Sequence, residues 1–255
     1  MYIDTHAHLN FKAFNNDWQE VIERAKEAGV SIINVGSNLK TSQKAIEIAK
    51  NYKKGVYAAI GLHPIHVKDE DFDENKFLEF AKDPKVVAIG ETGLDYYAGR
   101  KNIEQQKEIF YKLIRIAGQV NKPIIVHNRD AGEDVMSVLL SLRNPPKGVM
   151  HCFAENWQYA KLILDLGMLI SFTGLITFTK NTETLRVVKD VPLERLMIET
   201  DSPFMTPEKY RPARNEPAYV IEIAKKMAEI KKIPLEKVAK QTTENAKKLF
   251  KLTQF

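Results

Sequence analysis

Along the chain, short runs of consecutive apolar residues alternate with longer stretches whose apolar positions recur every three or four residues. The short runs lie at 2–6, 31–36, 56–61, 86–91, 123–127, 148–152, 169–173 and 196–200. They are rich in Ile and Val, as in Val86-Val87-Ala88-Ile89 and Ile124-Ile125-Val126, which is how strands covered on both faces read. The longer stretches predict helices at 17–27, 41–52, 74–81, 103–120, 131–142, 157–166, 182–189, 217–230 and 235–251. In the first of them Trp18, Val21, Ile22 and Ala25 share one side, and Gly29 offers a C-terminal cap. Eight strands alternating with helices across residues 1–255 predict an α/β chain folded as a single (β/α)8 TIM barrel. The rival is an open doubly wound sheet, whose ligands gather where the strand order reverses. A barrel instead collects its chemistry at the C-terminal ends of several different strands.

The polar residues that interrupt the apolar runs favour the barrel. His6 and His8 close the first run, His63 follows the third, Glu91 closes the fourth, His127 the fifth and His151 the sixth, and Glu199 and Asp201 close the eighth. Five of the six histidines thus occupy corresponding points of the pattern. In an extended strand Asp4, His6 and His8 point to one side, and two imidazoles two residues apart can grip one metal ion. An imidazole buried at a strand end without a partner is costly. Four histidines with Glu91 and Asp201 exceed a single tetrahedral zinc site. They suit two divalent cations sharing a carboxylate, an arrangement that makes hydroxide available near neutral pH. Nitrogen and oxygen donors without thiolate admit Zn, Mn, Fe, Ni or, more loosely, Mg. Cys152, next to His151, is expected by strand alternation to point away and pack.

Composition changes the picture little. A 44% hydrophobic share with 28% charged residues suits a globular core under a charged surface. No apolar run approaches a membrane span, Asp4 and His6 interrupt any leader-like start, and the lone Cys152 excludes an internal disulfide. The expectation is a cytoplasmic protein with no membrane association and no obligate protein partner. A net charge of +5 is compatible with a phosphate-bearing partner, although Lys225, Lys226, Lys231 and Lys232 read as a solvated helix face.

In order along the chain, Asp4-Thr5-His6-Ala7-His8, Gly90-Glu91-Thr92-Gly93-Leu94-Asp95, His127-Asn128-Arg129, His151-Cys152-Phe153, Glu199-Thr200-Asp201-Ser202-Pro203 and Arg214-Asn215-Glu216-Pro217 give a sequence that resembles the TatD-type metal-dependent deoxyribonucleases, a branch of the amidohydrolase-like barrels. The resemblance spans essentially the whole chain. It implies a TIM barrel, two divalent cations and phosphodiester hydrolysis on DNA, with a single strand or a 3′ end as substrate. It further implies that His6, His8 and Asp201 hold the first cation and His127 and His151 the second, with Glu91 bridging. Asp201 would orient or deprotonate the attacking water, and His63 would touch the substrate phosphate. The sequence departs from the family pattern at Ile65, which separates Pro64 from His66, at Asn128, and at Pro212-Ala213.

Arg129, Arg214 and Arg211 are further candidates for phosphate contacts, because guanidinium offers paired planar donors. Tyr96 and Tyr97 are candidates to stack on an unpaired base. An alternative keeps the metals and changes the substrate: another ester or amide, such as a D-aminoacyl-tRNA or a small phosphoester. Many barrels of that kind bridge their metals with a carboxylated lysine where this chain has Glu91, which favours the nuclease branch.

Overall fold

The computed structural model describes residues 1–69, 72–97 and 102–252. Its strands are β1 (Tyr2–Ala7), β2 (Val30–Val35), β3 (Val56–Ile60), β4 (Val86–Asp95), β5 (Ile124–Arg129), β6 (Gly148–Met150), β7 (Leu169–Phe172) and β8 (Leu196–Ile198). Its helices are α1 (Trp18–Glu27), α2 (Leu39–Lys50), α3 (Glu74–Ala81), α4 (Ile103–Val120), α5 (Gly132–Leu140), α6 (Trp157–Asp165), α7 (Thr182–Asp190), α8 (Val220–Lys231) and α9 (Leu235–Phe250). The strands form one sheet in the order β1-β2-β3-β4-β5-β6-β7-β8, each parallel to the next. The ends meet where Ala7 bridges Ser202, the Asp201 amide donates to the His6 carbonyl (2.8 Å) and the His8 amide to the Ser202 carbonyl (2.8 Å). This is the (β/α)8 barrel that the alternation predicts.

Strand alternation divides the core in two. In β2, Val30 and Ile32 face outward and join the layer between strands and helices, whereas Ile33 and Val35 face the barrel axis. Inward side chains such as Ile3, Tyr57, Ile125 and Met197 meet Ala246, Leu249, Phe250 and Leu252 from the end of α9 and the residues after it. These side chains plug the end of the barrel where the strands begin. Full burial of a side chain as large as Phe250 contributes roughly 1.5–3 kcal/mol, so the plug is held by packing. The opposite end, where the strands finish, is left for polar groups.

Local boundaries follow the caps. Asn38 and Thr41 form a reciprocal capping box that starts α2 two residues before the apolar period does. Asp73, Asn156 and Asn181 cap α3, α6 and α7 through their side chains. Asp17 precedes α1 but does not cap it; its carboxylate is taken by Arg214. Pro217 opens a 3-10 turn, Pro217–Tyr219, before α8 begins.

Two strands differ from expectation in a way that matters for the site. β4 runs on to Asp95, so Glu91 lies inside the strand and does not close it. Its pairing with β5 shifts between Ile89 and Thr92, and then carries Gly93, Leu94 and Asp95 against His127, Asn128 and Arg129. β6 stops at Met150, and Cys152 follows in a left-handed conformation (φ 46°). The alternation expected to turn Cys152 away therefore does not reach it.

Candidate metal centre

The strand-end residues converge. His6 Nε2 and His8 Nε2 are 3.1 Å apart. Glu91 Oε2 lies 3.4 Å from the first and 3.8 Å from the second. Asp201 Oδ1 lies 3.8 Å from His6 Nε2 and 3.4 Å from His8 Nε2. The other oxygen of the same carboxylate, Glu91 Oε1, is 2.7 Å from both His127 Nδ1 and His151 Nε2, which are 3.2 Å from one another. Glu91 therefore stands between two donor clusters. His63 Nε2 approaches the second cluster, 3.3 Å from Glu91 Oε1 and 3.3 Å from His127 Nδ1.

The backbone makes this convergence possible through two glycines. Gly90 (φ +146°) and Gly93 (φ +143°) occupy conformations that side chains rarely allow, and a Cβ on Gly93 would lie 2.0 Å from the His127 carbonyl oxygen. Only glycine lets β4 lie this close to β5. Near the seam, Asp4 accepts hydrogen bonds from the Thr200 amide (2.8 Å) and hydroxyl (2.5 Å). Asp4 thus fixes the segment that carries Asp201, and belongs to none of the donor clusters.

Each of three ligand-candidate rings is held from behind, which fixes the nitrogen it turns forward. His8 Nδ1 donates to the Val35 carbonyl (2.8 Å), His127 Nε2 to Asp95 Oδ2 (3.1 Å), and His151 Nδ1 to Glu199 Oε1 (3.2 Å). Burial disfavours charge on His8, His127 and His151, but the carboxylates outweigh it. Asp201 raises His8, Asp95 and Glu91 raise His127, and Glu91 with Glu199 raises His151 well above the ordinary histidine value. Burial alone would raise Glu91, yet the neighbouring His63 and His151 rings and hydrogen bonds from His127 and His151 hold it well below the usual carboxylate range. Burial likewise opposes ionisation of Asp201, and His8 and His6 hold it down. His63 goes the other way: burial pushes it down to about 4 against the pull of Glu91. Its Nδ1 accepts from the Ile65 amide (3.2 Å), so the neutral ring carries its proton on Nε2, facing the cluster.

The clusters open into a cavity of about 490 Å³ whose walls include His63, His66, Asp95, Arg129, Cys152 and Phe204. The Arg129 guanidinium lies at its edge, 3.6 Å over the exposed Tyr97 ring. Cys152 lines the cavity without joining a donor cluster. Tyr96 is buried and donates to Asp134 (2.7 Å). Arg214, expected at the substrate, pairs with Asp17 (2.5 Å) and the Ala13 carbonyl (2.6 Å) over the Phe14 ring. It is not among the cavity-lining residues. Arg211 lies over Phe178, 4.4 Å from the ring centroid. Asp95 and Glu199 were visible in the motifs, but their positions behind His127 and His151 are contacts through space that spacing does not signal.

Residues 3–251 match the family of TatD related DNases. The chain belongs to the TatD family of metal-dependent hydrolases. It is 43% identical over 255 residues to the uncharacterized metal-dependent hydrolase YabD of Bacillus subtilis, covering 99% of this chain and 100% of that one. It is 36% identical to YcfH of Escherichia coli K12, an uncharacterized metal-dependent hydrolase, over 97% of this chain and 95% of the relative. The crystal structure of the TatD homologue YjjV from E. coli superposes with a TM-score of 0.91 at 27% identity, covering 99% of this chain and 98% of the other. A TatD-family hydrolase from Entamoeba histolytica superposes at 0.87 with 29% identity, over 99% and 98% of the two chains.

The donor set of this TatD-family barrel suits divalent cations. A tetrahedron with bonds of about 2.0–2.1 Å places its donors roughly 3.3–3.4 Å apart. The His6, His8, Glu91 and Asp201 separations of 3.1–3.8 Å bracket that edge. The 2.7 Å contacts of Glu91 with His127 and His151 are hydrogen-bond lengths, shorter than that edge.

Proposed function

We propose that the chain is a phosphodiesterase that hydrolyses DNA from an unpaired end with a pair of divalent cations. The observation that carries this reading is the placement of Glu91, with Oε2 toward His6, His8 and Asp201 and Oε1 toward His127 and His151. A carboxylate shared between two histidine clusters suits two cations held close together, the arrangement of a two-cation hydrolytic site. When bound, such a pair supplies hydroxide near neutral pH and offsets charge building on phosphoryl oxygens.

The remaining work falls to side chains. Asp201, ionised and at the edge of the first cluster, accepts a hydrogen bond from the attacking water and orients it. His63 presents a neutral Nε2–H to a non-bridging phosphate oxygen. Arg129 offers its planar donors to a neighbouring phosphate. The exposed Tyr97 and Phe204 suit unpaired bases, whose faces stack on aromatic rings at roughly 1–3 kcal/mol each.

The test is to incubate the protein with end-labelled single-stranded and duplex DNA, RNA and a generic phosphodiester, across Mg²⁺, Mn²⁺ and Zn²⁺, with a chelator control. The expected result is chelator-sensitive laddering from one end of the single strand. No cleavage of any nucleic acid with any cation would discard the nuclease reading and leave an ester or amide as the substrate.

A further inference from the structure

We infer that Glu199 is a positioning residue that sets the orientation and tautomer of His151, and through it the affinity of the cation position formed by Glu91, His127 and His151. This inference rests on the two-cation reading. Glu199 is 1% exposed and follows β8 directly. Its Oε1 accepts from the Cys152 amide at 2.6 Å and from His151 Nδ1 at 3.2 Å. Its Oε2 accepts from the Ser171 hydroxyl at 2.6 Å, and the Thr5 hydroxyl, which also faces the Ile198 carbonyl, reaches it at 3.3 Å. Donors from β1, β7 and the segment after β6 thus surround one buried carboxylate.

That environment separates Glu199 from the ligand candidates. The side-chain contacts of Glu91 and Asp201 are with ring nitrogens of the clusters. Glu199 stands within reach of the His6 and His151 ring nitrogens, but both its oxygens are already engaged, Oε1 by the Cys152 amide and the rear nitrogen of His151 and Oε2 by the Ser171 hydroxyl, so its built contacts lie behind His151. An ionised carboxylate can only accept. His151 must therefore keep a proton on Nδ1, which leaves Nε2 as the atom turned toward Glu91 Oε1 at 2.7 Å. The amide and hydroxyl donors clamp the carboxylate, and the carboxylate clamps the ring. His8 and His127 are held by Val35 and Asp95 instead, so loss of Glu199 acts on the cluster that contains His151. Partners behind a metal-binding histidine are worth about 10–100-fold in affinity.

The experiment titrates Mn²⁺ or Zn²⁺ into chelator-treated wild type, Glu199→Gln and Glu199→Ala by calorimetry, with thermal melts to confirm folding. One of two binding events weakens about tenfold in Glu199→Gln, which keeps an acceptor but loses the charge, and up to about 100-fold in Glu199→Ala, while the other stays put. Both events intact in Glu199→Gln, or both weakened alike, overturns the inference, and this holds even where Glu199→Ala does not fold. Nitrogen NMR of the Zn²⁺-loaded wild type gives an independent reading. A proton on Nδ1 supports the inference and a proton on Nε2 overturns it, whatever the number of ions bound. A single binding event in wild type with Nδ1 protonated would sink the two-cation reading and leave the positioning role standing.

Discussion

Replacing Gly93 with alanine puts the link between backbone and site under direct load. The new methyl carbon would sit 2.0 Å from the His127 carbonyl oxygen, where approaches under 3.0 Å are essentially never tolerated, so β4 and β5 must part by at least about 1 Å. Parting threatens the pairing of Gly93, Leu94 and Asp95 with His127, Asn128 and Arg129. Two or three ladder hydrogen bonds at about 1 kcal/mol each, with about 1–3 kcal/mol for holding alanine at this φ, give a loss of about 3–6 kcal/mol. Against a total stability of about 5–15 kcal/mol, the variant should be severely destabilised but not uniformly unfolded. Whatever fraction folds carries His127 displaced from its 2.7 Å approach to Glu91. Urea unfolding of the metal-free proteins measures the first effect, and cation titration of the folded fraction measures the second. A loss under about 1 kcal/mol with unchanged cation affinity would refute the close-approach account of Gly93.

Other consequences can be checked more simply. Asp201→Asn keeps an oxygen for the ion and loses the charge that orients water, so bound cation should be largely retained while turnover falls about 10²–10⁴-fold; metal content and rate measured on one sample decide it. Cation binding should tighten as pH rises and should release protons, because ligation needs neutral rings and His8, His127 and His151 are held above the ordinary value; calorimetry in two buffers of different ionisation heat reads the protons. In the metal-free protein the raised His151 stabilises fully below about 6.5, and its contribution is lost as pH climbs through the folded value. The depressed Glu91 and Asp201 stabilise fully above 4.5 and 3.8, and that is lost as pH falls through their folded values. Melting temperature after chelation should therefore peak in mildly acidic buffer, and a maximum at pH 9 would contradict the assignment. Arg129→Ala should raise KM with little change in kcat, whereas Arg214→Ala should leave both nearly alone, since Arg214 is engaged with Asp17.

The barrel was legible because strands covered on both faces leave a strong trace: consecutive Ile and Val, broken where a ligand candidate appears. Positions His6, His63, His127 and His151 stood out for that reason. The extension of β4 was hidden, because Gly90-Glu91-Thr92-Gly93-Leu94-Asp95 has the composition of a loop. Its strand character depends on β5 accepting two glycines at close range. The pairing of Arg214 with Asp17 leaves no trace in the sequence, because the two lie 197 residues apart. The sealing of one barrel end by Phe250 and Leu252 left no mark beyond an ordinary amphipathic helix, since burial against strands distant in the chain has no periodicity of its own.

The junction between β1 and β8 imposes an order on how the centre comes into being. His6 and His8 leave one edge of the sheet and Asp201 the other, and they become neighbours only when the Asp201 amide reaches the His6 carbonyl. Glu91, His127 and His151 come from β4, β5 and the residue after β6, contiguous segments of the same sheet. A partly assembled ring can thus present the second group of donors complete, whereas the first lacks Asp201 until the junction forms. The full donor set of His6, His8 and Asp201 exists only in a cylinder that has shut.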